Sequence, residues 1–331
     1  MRNFVGIDIA ARSFDLVCRS DGHNGKAETF PQSAEGHAQA TRKLQALQPE
    51  RIVLEATGVY YLDLALALHE GGLPVCVINP RSFRHFAEIT LRGSKTDPLD
   101  AALLAEYAER MSPRRWNPPP PTYRALLDLG RHLNRLLHAR TQAKNQLHAL
   151  KAQRDAPMLL IEDAEEGITQ LDQRIERLHQ GAQEMIQQAP ELAQYQAHLC
   201  AATGIAATSS LAILAELCTL PGDLKAKQVV RHAGLDVRLH ASGSSVHRPG
   251  RLAKTGNAYL RSALYMPAMV AIVHDPYAKA FYDVLVARGK KKIQALCAVM
   301  RKYLTGIWAC MQHHQAFDSS KLFSAQHLKN A

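Results

Sequence analysis

Four carboxylates carry the first hint of chemistry. Asp8 lies inside an apolar run, VGIDIA, where an ionised carboxylate is costly unless a cation or donors meet it. Glu55 closes a second apolar run, RIVLEATG. Asp97 and Asp100 open an alanine-rich stretch, SKTDPLDAALLAEYAER. Residues three apart share a helix face, so both acids point one way. A helix start also tolerates acids, because its unpaired N–H groups carry partial positive charge. Thr96 as N-cap and Pro98 in the first turn fit that simpler role. Taken together, four carboxylates in one place would repel, and divalent cations would stabilise them. Oxygen-only ligands favour Mg2+ or Mn2+ over zinc. Two such ions about 3.5–4 Å apart can activate an attacking oxygen and steady a leaving one at phosphorus.

The elements that must position these acids read as α/β. NFVGIDIA, SFDLVCRS and a short run near KAETF suggest three strands in an antiparallel meander. A helix over 34–48 leads to a fourth strand, RIVLEA, then a helix over 60–70 stopped by Gly71-Gly72. PVCVINP is a fifth strand, followed by a helix near 83–90 and the acid-headed helix. The result is a mixed five-stranded sheet with helices on its faces. If strands one and four are parallel neighbours, Asp8 and Glu55 lie side by side near their carboxyl ends, the usual edge for a site in an open α/β sheet.

NPPPP, residues 117–121, marks a stiff boundary. Beyond it Leu126, Leu129, Leu133, Leu136, Arg140, Ala143, Leu147 and Leu150 recur in steps of three and four. The rhythm resumes after Pro157 at Ile168, Leu171, Ile175, Leu178, Ala182 and Met185. This is a coiled-coil seam in two arms, folded on each other or paired between subunits, with pairing between chains favoured. Arg140 on the seam either sets register or meets an acidic partner. From about Leu192 the chain is mostly helical, with a tight turn at Gly204 and a Ser/Gly loop, SGSS, among Arg238, His247, Arg248, Arg251, Lys254 and Arg261. Lys290, Lys291 and Lys292 form a second basic cluster.

The net charge of +10 is uneven: residues 1–120 are balanced, residues 121–220 carry −2 and residues 221–331 carry +12. That segregation points to a polyanion-binding C-terminal third. No apolar run reaches membrane-spanning length. The six cysteines form no CxxC pair, which speaks for reduced thiols in a cytoplasmic protein and against structural zinc.

With these residues placed, the chain resembles the DEDD transposases of insertion elements, relatives of the Piv-type DNA invertases, a family that includes the bridge-RNA-guided recombinases. The matching pieces are GIDIA, LEATGVYY, VINPRSFRHFA, KTDPLDAALLAE, HAGLDVRLHASGSSVHRPGRLAKTGNAYLRSALYMPAMVA and GKKK, in the family's order and over nearly the full length. The resemblance implies a RuvC-like, RNase H-fold catalytic domain over 1–116. A Pro-rich linker with coiled-coil helices follows over 117–190, then a mostly α-helical DNA-binding transposase domain over 191–331. It implies that Asp8, Glu55, Asp97 and Asp100 hold Mg2+, and that Ser242 attacks a DNA phosphate, with Ser244 and Ser245 as second choices. Arg238, Arg248, Arg251, Lys254, Arg261, Lys290, Lys291 and Lys292 would contact nucleic acid. The implied partners are target and donor double-stranded DNA, a structured guide RNA and further copies of the chain, as a homodimer or homotetramer in the bacterial nucleoid. One piece departs from the pattern: Thr203 and Ala206 stand in a turn where the family has Pro and Gly.

Three other readings share parts of this sequence. A metal-dependent junction nuclease would use the same acids with water in place of serine. An actin-like or sugar kinase has similar opening strands, but no glycine-rich phosphate loop follows either of them here. A silent nucleic-acid scaffold would leave the acids without a task.

Overall fold

A computed structural model describes residues 2–90, 97–242 and 246–324; the side chains of 97–98, 239–242 and 246–249 lie outside that description. The chain forms two compact units, Met1–Pro118 and Pro119–Ala331.

The first unit runs β1 (Asn3–Ile9), β2 (Ser13–Ser20), β3 (His23–Asn24), β4 (Glu28–Pro31), α1 (Ala34–Leu47), β5 (Arg51–Glu55), α2 (Tyr61–Glu70), β6 (Val75–Ile78), α3 (Pro80–Ile89) and α4 (Asp97–Met111). The sheet order is β3-β2-β1-β5-β6, with β4 also on β2. β1 and β2 are antiparallel, whereas β1, β5 and β6 are parallel. The run expected as a third strand near KAETF is β4, and a two-residue strand, β3, precedes it on the same neighbour. Between Asn24 and Glu28 the chain spends one residue more than β2 does between Arg19 and Leu16, which is the count of a β-bulge. α3 starts earlier than its apolar residues suggest, because the Asn79 side chain accepts from Arg81 N at 2.8 Å and Pro80 occupies the first turn.

Strand alternation divides the unit into layers. Val5 and Ile7 pack with Ala40, Leu44, Leu64 and Leu68 of α1 and α2. Phe4 and Val53 pack on the other face, with Phe83 and Phe86 of α3 and Leu104, Tyr107 and Ala108 of α4. Between these helices and the sheet, Gly6 is the point of closest approach. A Cβ there would lie 2.1 Å from Ala101 O and 2.2 Å from Ala105 N. α4 therefore rests its backbone on β1, and only glycine permits it.

The second unit runs α5 (Pro121–Lys151), α6 (Met158–Gln188), α7 (Pro190–Cys200), α8 (Ala207–Leu217), α9 (Ala226–His232), β7 (Val237–Ser242), β8 (Val246–Leu252), α10 (Ala258–His274), α11 (Pro276–Ala287), α12 (Lys292–His313) and α13 (Ser319–Leu322). The two seam-bearing arms, α5 and α6, pair with each other within the chain. Arg140 Nη1 donates to Asp172 Oδ1 at 2.7 Å and Lys151 Nζ to Glu165 Oε1 at 2.5 Å. The seam arginine thus meets an acid. At the other end of the arms, Leu126, Leu133, Ala182 and Ile186 enter the same core as Leu192, Leu199, Leu214 and α12. For that reason residues 117–190 do not stand apart as a third unit. α12 supplies the core's spine through Leu296, Val299, Met300, Tyr303, Leu304, Ile307, Trp308 and Met311, spaced as one helical face.

The sequence flanking the Ser/Gly loop forms two antiparallel strands, β7 and β8, with a register slip between Arg238 and His240, and residues 243–245 of the loop lie outside the described residues. Among the described residues no helix is long and apolar enough to cross a membrane, and the six cysteines are unpaired.

Gly6→Ala is expected to destabilise the first unit by about 3 kcal/mol, as overpacking against backbone does, read as a lower urea midpoint of the full chain. An unchanged midpoint would mean that α4 lifts from β1 at little cost.

Candidate active site

The parallel register of β1 and β5 pairs Gly6 with Val53 and Ile7 with Leu54. One step further along each strand stand Asp8 and Glu55, on strands about 4.8 Å apart. Asp8 is two residues from Gly6, and Glu55 two from Val53, so both share the face that α4 covers. The direction of α4 follows from its contacts. Phe4 clusters with Tyr107 and Ala108, and Gly6 meets Ala101 and Ala105. Moving up β1 towards Asp8 therefore moves down α4 towards its first residues, Asp97 and Asp100. The other end of α4 is fixed by the buried Arg19, whose Nε donates to Glu109 Oε2 at 2.6 Å.

The structure thus brings Asp8, Glu55 and the acidic head of α4 to one edge of the sheet. Asp8, Glu55 and Asp100 are half-buried, and the Asp97 side chain lies outside the described residues, as does Thr96. Glu55 is oriented by its own turn: Thr57 Oγ1 donates to Glu55 Oε1 at 2.7 Å. A fifth carboxylate joins this edge. Asp15 on β2 is the direct cross-strand partner of Asp8, and its Oδ1 accepts from Thr29 Oγ1 at 2.5 Å. Like charges directly opposite one another are unfavourable. The signal for Asp15 was the alternation of SFDLVCRS, in which Phe14 and Leu16 face the core and Asp15 faces away from it. Among the described residues no three His, Cys, Asp or Glu side chains stand close enough to hold one metal ion as they are placed. The donor set itself, carboxylates on neighbouring strands and a facing helix, has the all-oxygen chemistry of a Mg2+ or Mn2+ site.

In the second unit Ser242 is the last residue of β7, opposite Val246. Its side chain, those of His240, His247 and Arg248, and all of Ser244 and Ser245 fall outside the described residues. Arg238 and Arg251 are direct cross-strand partners and both are exposed, a like-charge pair that a polyanion would relieve. Arg238 Nη2 also donates to Thr255 Oγ1 at 2.9 Å. Lys254 is exposed. Arg261 differs from the rest: it is half-buried, and its Nη1 donates to Ala233 O at 2.8 Å, a bond that fastens the base of the hairpin. Lys290, Lys291 and Lys292 are exposed at the α11–α12 corner, ahead of the first turn of α12.

A network that sequence reasoning missed lies beneath the hairpin. Glu216, 3% exposed, accepts from Arg131 Nε at 2.8 Å, Arg131 Nη2 at 2.9 Å and Asn257 Nδ2 at 2.6 Å. The hydrogen bond to Glu216 holds the Arg131 pKa above its ordinary value. Desolvation pushes the nearby His232 pKa down, against the opposing pull of Glu216.

Comparison with known proteins follows these two halves. Residues 5–153, which carry the acids, match the DEDD transposase model of IS110 elements, and residues 196–283, which carry the hairpin, match the model described as Transposase IS116/IS110/IS902 family. The chain is 30% identical over 328 residues to the pilin gene-inverting protein of Moraxella lacunata, covering 96% of this chain and 98% of that one. It is 29% identical over 323 residues to the protein of the same name from Moraxella bovis, with the same coverage. A probable family 20 transposase of Pseudomonas aeruginosa is 24% identical over 305 residues, 81% of this chain and 83% of that one. Among solved structures, Thermus thermophilus RuvC aligns over 34% of this chain and 98% of its own at 19% identity, with a TM-score of 0.26. With both family models matched in chain order and a relative aligned almost end to end, the chain belongs to the IS110 family of transposases, enzymes that recombine DNA.

Proposed function

We propose that this transposase is a site-specific recombinase of an insertion element that cuts and exchanges DNA strands through a serine-linked intermediate. Asp8, Glu55, Asp97 and Asp100 hold Mg2+ or Mn2+ on a RuvC-like, RNase H-type domain, and Ser242 is the nucleophile. The observation that carries this reading is the common face of Asp8 and Glu55 at adjacent register positions, beneath the helix that begins with Asp97 and Asp100. A buried structural core gives no reason to gather acids there.

The chemistry is an exchange of one phosphodiester for another. The Ser242 oxygen forms a bond to phosphorus, the bridging oxygen of the cut strand leaves with the bonding electrons, and the serine proton ends on that leaving oxygen. Attack by the hydroxyl of a second strand reverses the step and frees Ser242, so no bond energy is lost and no nucleotide is consumed. A serine hydroxyl needs activation, and a bound divalent ion would supply it together with charge neutralisation at the phosphate. Arg238 and Arg251 hold the phosphate in place as guanidinium forks, and Lys290, Lys291 and Lys292 extend the grip on the backbone. Thr57 keeps Glu55 turned to its task. The acid face of one subunit serves the serine of another, in a homodimer or homotetramer. A structured guide RNA encoded by the element selects target and donor DNA; the +12 charge of residues 221–331 suits two nucleic acids as well as one. The Moraxella relatives, named for gene inversion, fit the same strand exchange.

Ser242→Ala is expected to abolish the protein–DNA adduct on a denaturing gel while DNA binding persists, and Asp8→Ala to abolish the adduct and weaken Mn2+ binding measured by calorimetry. A Ser242→Ala protein that still traps DNA covalently refutes the nucleophile. Free 5′-phosphate ends with no adduct in the wild type would replace strand exchange with hydrolysis by a junction nuclease. Replacing Lys290, Lys291 and Lys292 together by alanine should lower the slope of log K against log salt by about 2 to 3; an unchanged slope would remove them from the interface.

A further inference from the structure

The hairpin that ends in Ser242 is held at its roots far more firmly than a surface hairpin requires. Its two root segments, 232–236 and 253–257, continue the β7–β8 pairing downward: Ala253 N donates to Asp236 O at 2.9 Å, Lys254 N to Gly234 O at 3.1 Å and Asn257 N to His232 O at 2.7 Å. Gly234 and Gly256 meet backbone to backbone. A Cβ on Gly256 would lie 2.2 Å from His232 O and 2.5 Å from Gly234 N.

Under this contact sits the Glu216 carboxylate. Asn257 makes three bonds from the point where the hairpin returns. Its Nδ2 donates to Glu216 and lies 3.3 Å from His232 Nε2, while its Oδ1 accepts from Leu260 N at 3.0 Å to cap α10. His232, held towards its neutral form by desolvation of the ring, offers Nε2 as an acceptor. On the opposite side Arg131 clasps Glu216 with two parallel bonds and lies over the Tyr259 ring, 5.2 Å from its centroid. Arg131 belongs to α5, the helix that continues into the arm. A bidentate ion pair whose carboxylate is buried while its guanidinium stays 38% exposed is a poor way to gain stability, because desolvation of the carboxylate offsets much of the attraction. It is a good way to fix one geometry, since Glu216 left alone would be a buried charge.

We infer that Glu216 is the positioning residue of the serine hairpin, tying both of its roots, through Asn257 and His232, to the arm helix α5, through Arg131. The catalytic side of this inference rests on Ser242 as the nucleophile; the anchoring side does not.

The test is an isoelectric swap in the full-length protein. In Glu216→Gln an amide N–H2 faces donors on Asn257 and Arg131, so at least one contact breaks. In the double variant Glu216→Gln/Asn257→Asp the carboxylate moves across the bond: the side chain at position 257 accepts from the amide at position 216, still caps α10 and meets a protonated His232, while Arg131 keeps only the bond to the amide oxygen. Two readouts are needed, the rate of adduct formation at saturating DNA and amide hydrogen exchange over 237–252. Glu216→Gln should slow the adduct about tenfold and speed hairpin exchange about tenfold, the worth of a lost charge-assisted bond, with the DNA dissociation constant unchanged. The double variant should recover part of both, because the hairpin root is tied again at position 257 while Arg131 keeps one bond in place of two. Unchanged hairpin exchange in a folded Glu216→Gln protein, or a folded double variant that recovers neither readout, overturns the inference. If Glu216→Gln does not fold, a folded double variant with a protected hairpin supports it and failure of the double variant to fold overturns it. Should the wild type form no adduct, the nucleophile assignment fails and hydrogen exchange alone decides the anchoring.

Discussion

The contact between Gly6 and the α4 backbone governs everything the first unit presents. Because no side chain separates strand from helix there, α4 lies directly on β1, and its position is set by backbone rather than by adaptable side chains. Arg19 and Glu109 fix the far end of the same helix. Two fixed points determine a line, and that line brings the first turn of α4 to the edge where Asp8 and Glu55 emerge. The acids are thus brought together by apolar and backbone packing some distance below them. Packing of this kind tolerates the repulsion that the acids themselves create, because the energy holding them in place comes from elsewhere in the unit.

Each unit concentrates like charges. On the first, Asp8 faces Asp15 across two strands; on the second, Arg238 faces Arg251 across the hairpin. Neither pair is stabilising by itself, and both sit on surfaces whose backbone geometry is pinned from beneath. Opposite charges gathered on separate units suit a substrate that is itself a polyanion carrying cations. Under the function proposed above, the basic hairpin would meet phosphate and the acid edge the ions that accompany it.

Much of the first unit was legible because alternation and helical periodicity are local. Asp8 stood out as a charge in an apolar strand, and the parallel pairing of β1 with β5, which the sequence left as a condition, is what the register has. What escaped was non-local or depended on counting. Asp15 needed the register of the β1–β2 turn, and the short β3 ahead of the expected third strand needed one extra residue between Asn24 and Glu28 to be noticed. The seam in α5 and α6 was visible, but a seven-residue rhythm reads the same whether its partner is another chain or the same one. Within the chain, Arg140 meets Asp172 thirty-two residues on. The strands on either side of SGSS escaped, since arginine and histidine between glycines mask strand alternation. Glu216 was invisible: in ILAEL it looks like one polar residue on a helix, and its partners, Arg131 and Asn257, lie on two other segments.

The arm and the hairpin meet on one helix. α5 is 31 residues long, about 46 Å at 1.5 Å per residue. It carries Arg131 at its buried root and Arg140, nine residues on, where it is bonded to α6. A helix is stiff over so short a span, so a shift of the arm relative to the core reaches Arg131 as a rotation or a displacement rather than dissipating. The bidentate clasp on Glu216 then transmits it, because two parallel bonds resist twisting where one would swivel. Apolar packing at this joint would hold the elements together equally well and yet allow them to slide. A bidentate pair on a buried carboxylate slides only by giving up one of its bonds, so it holds α5 and the hairpin root in one register.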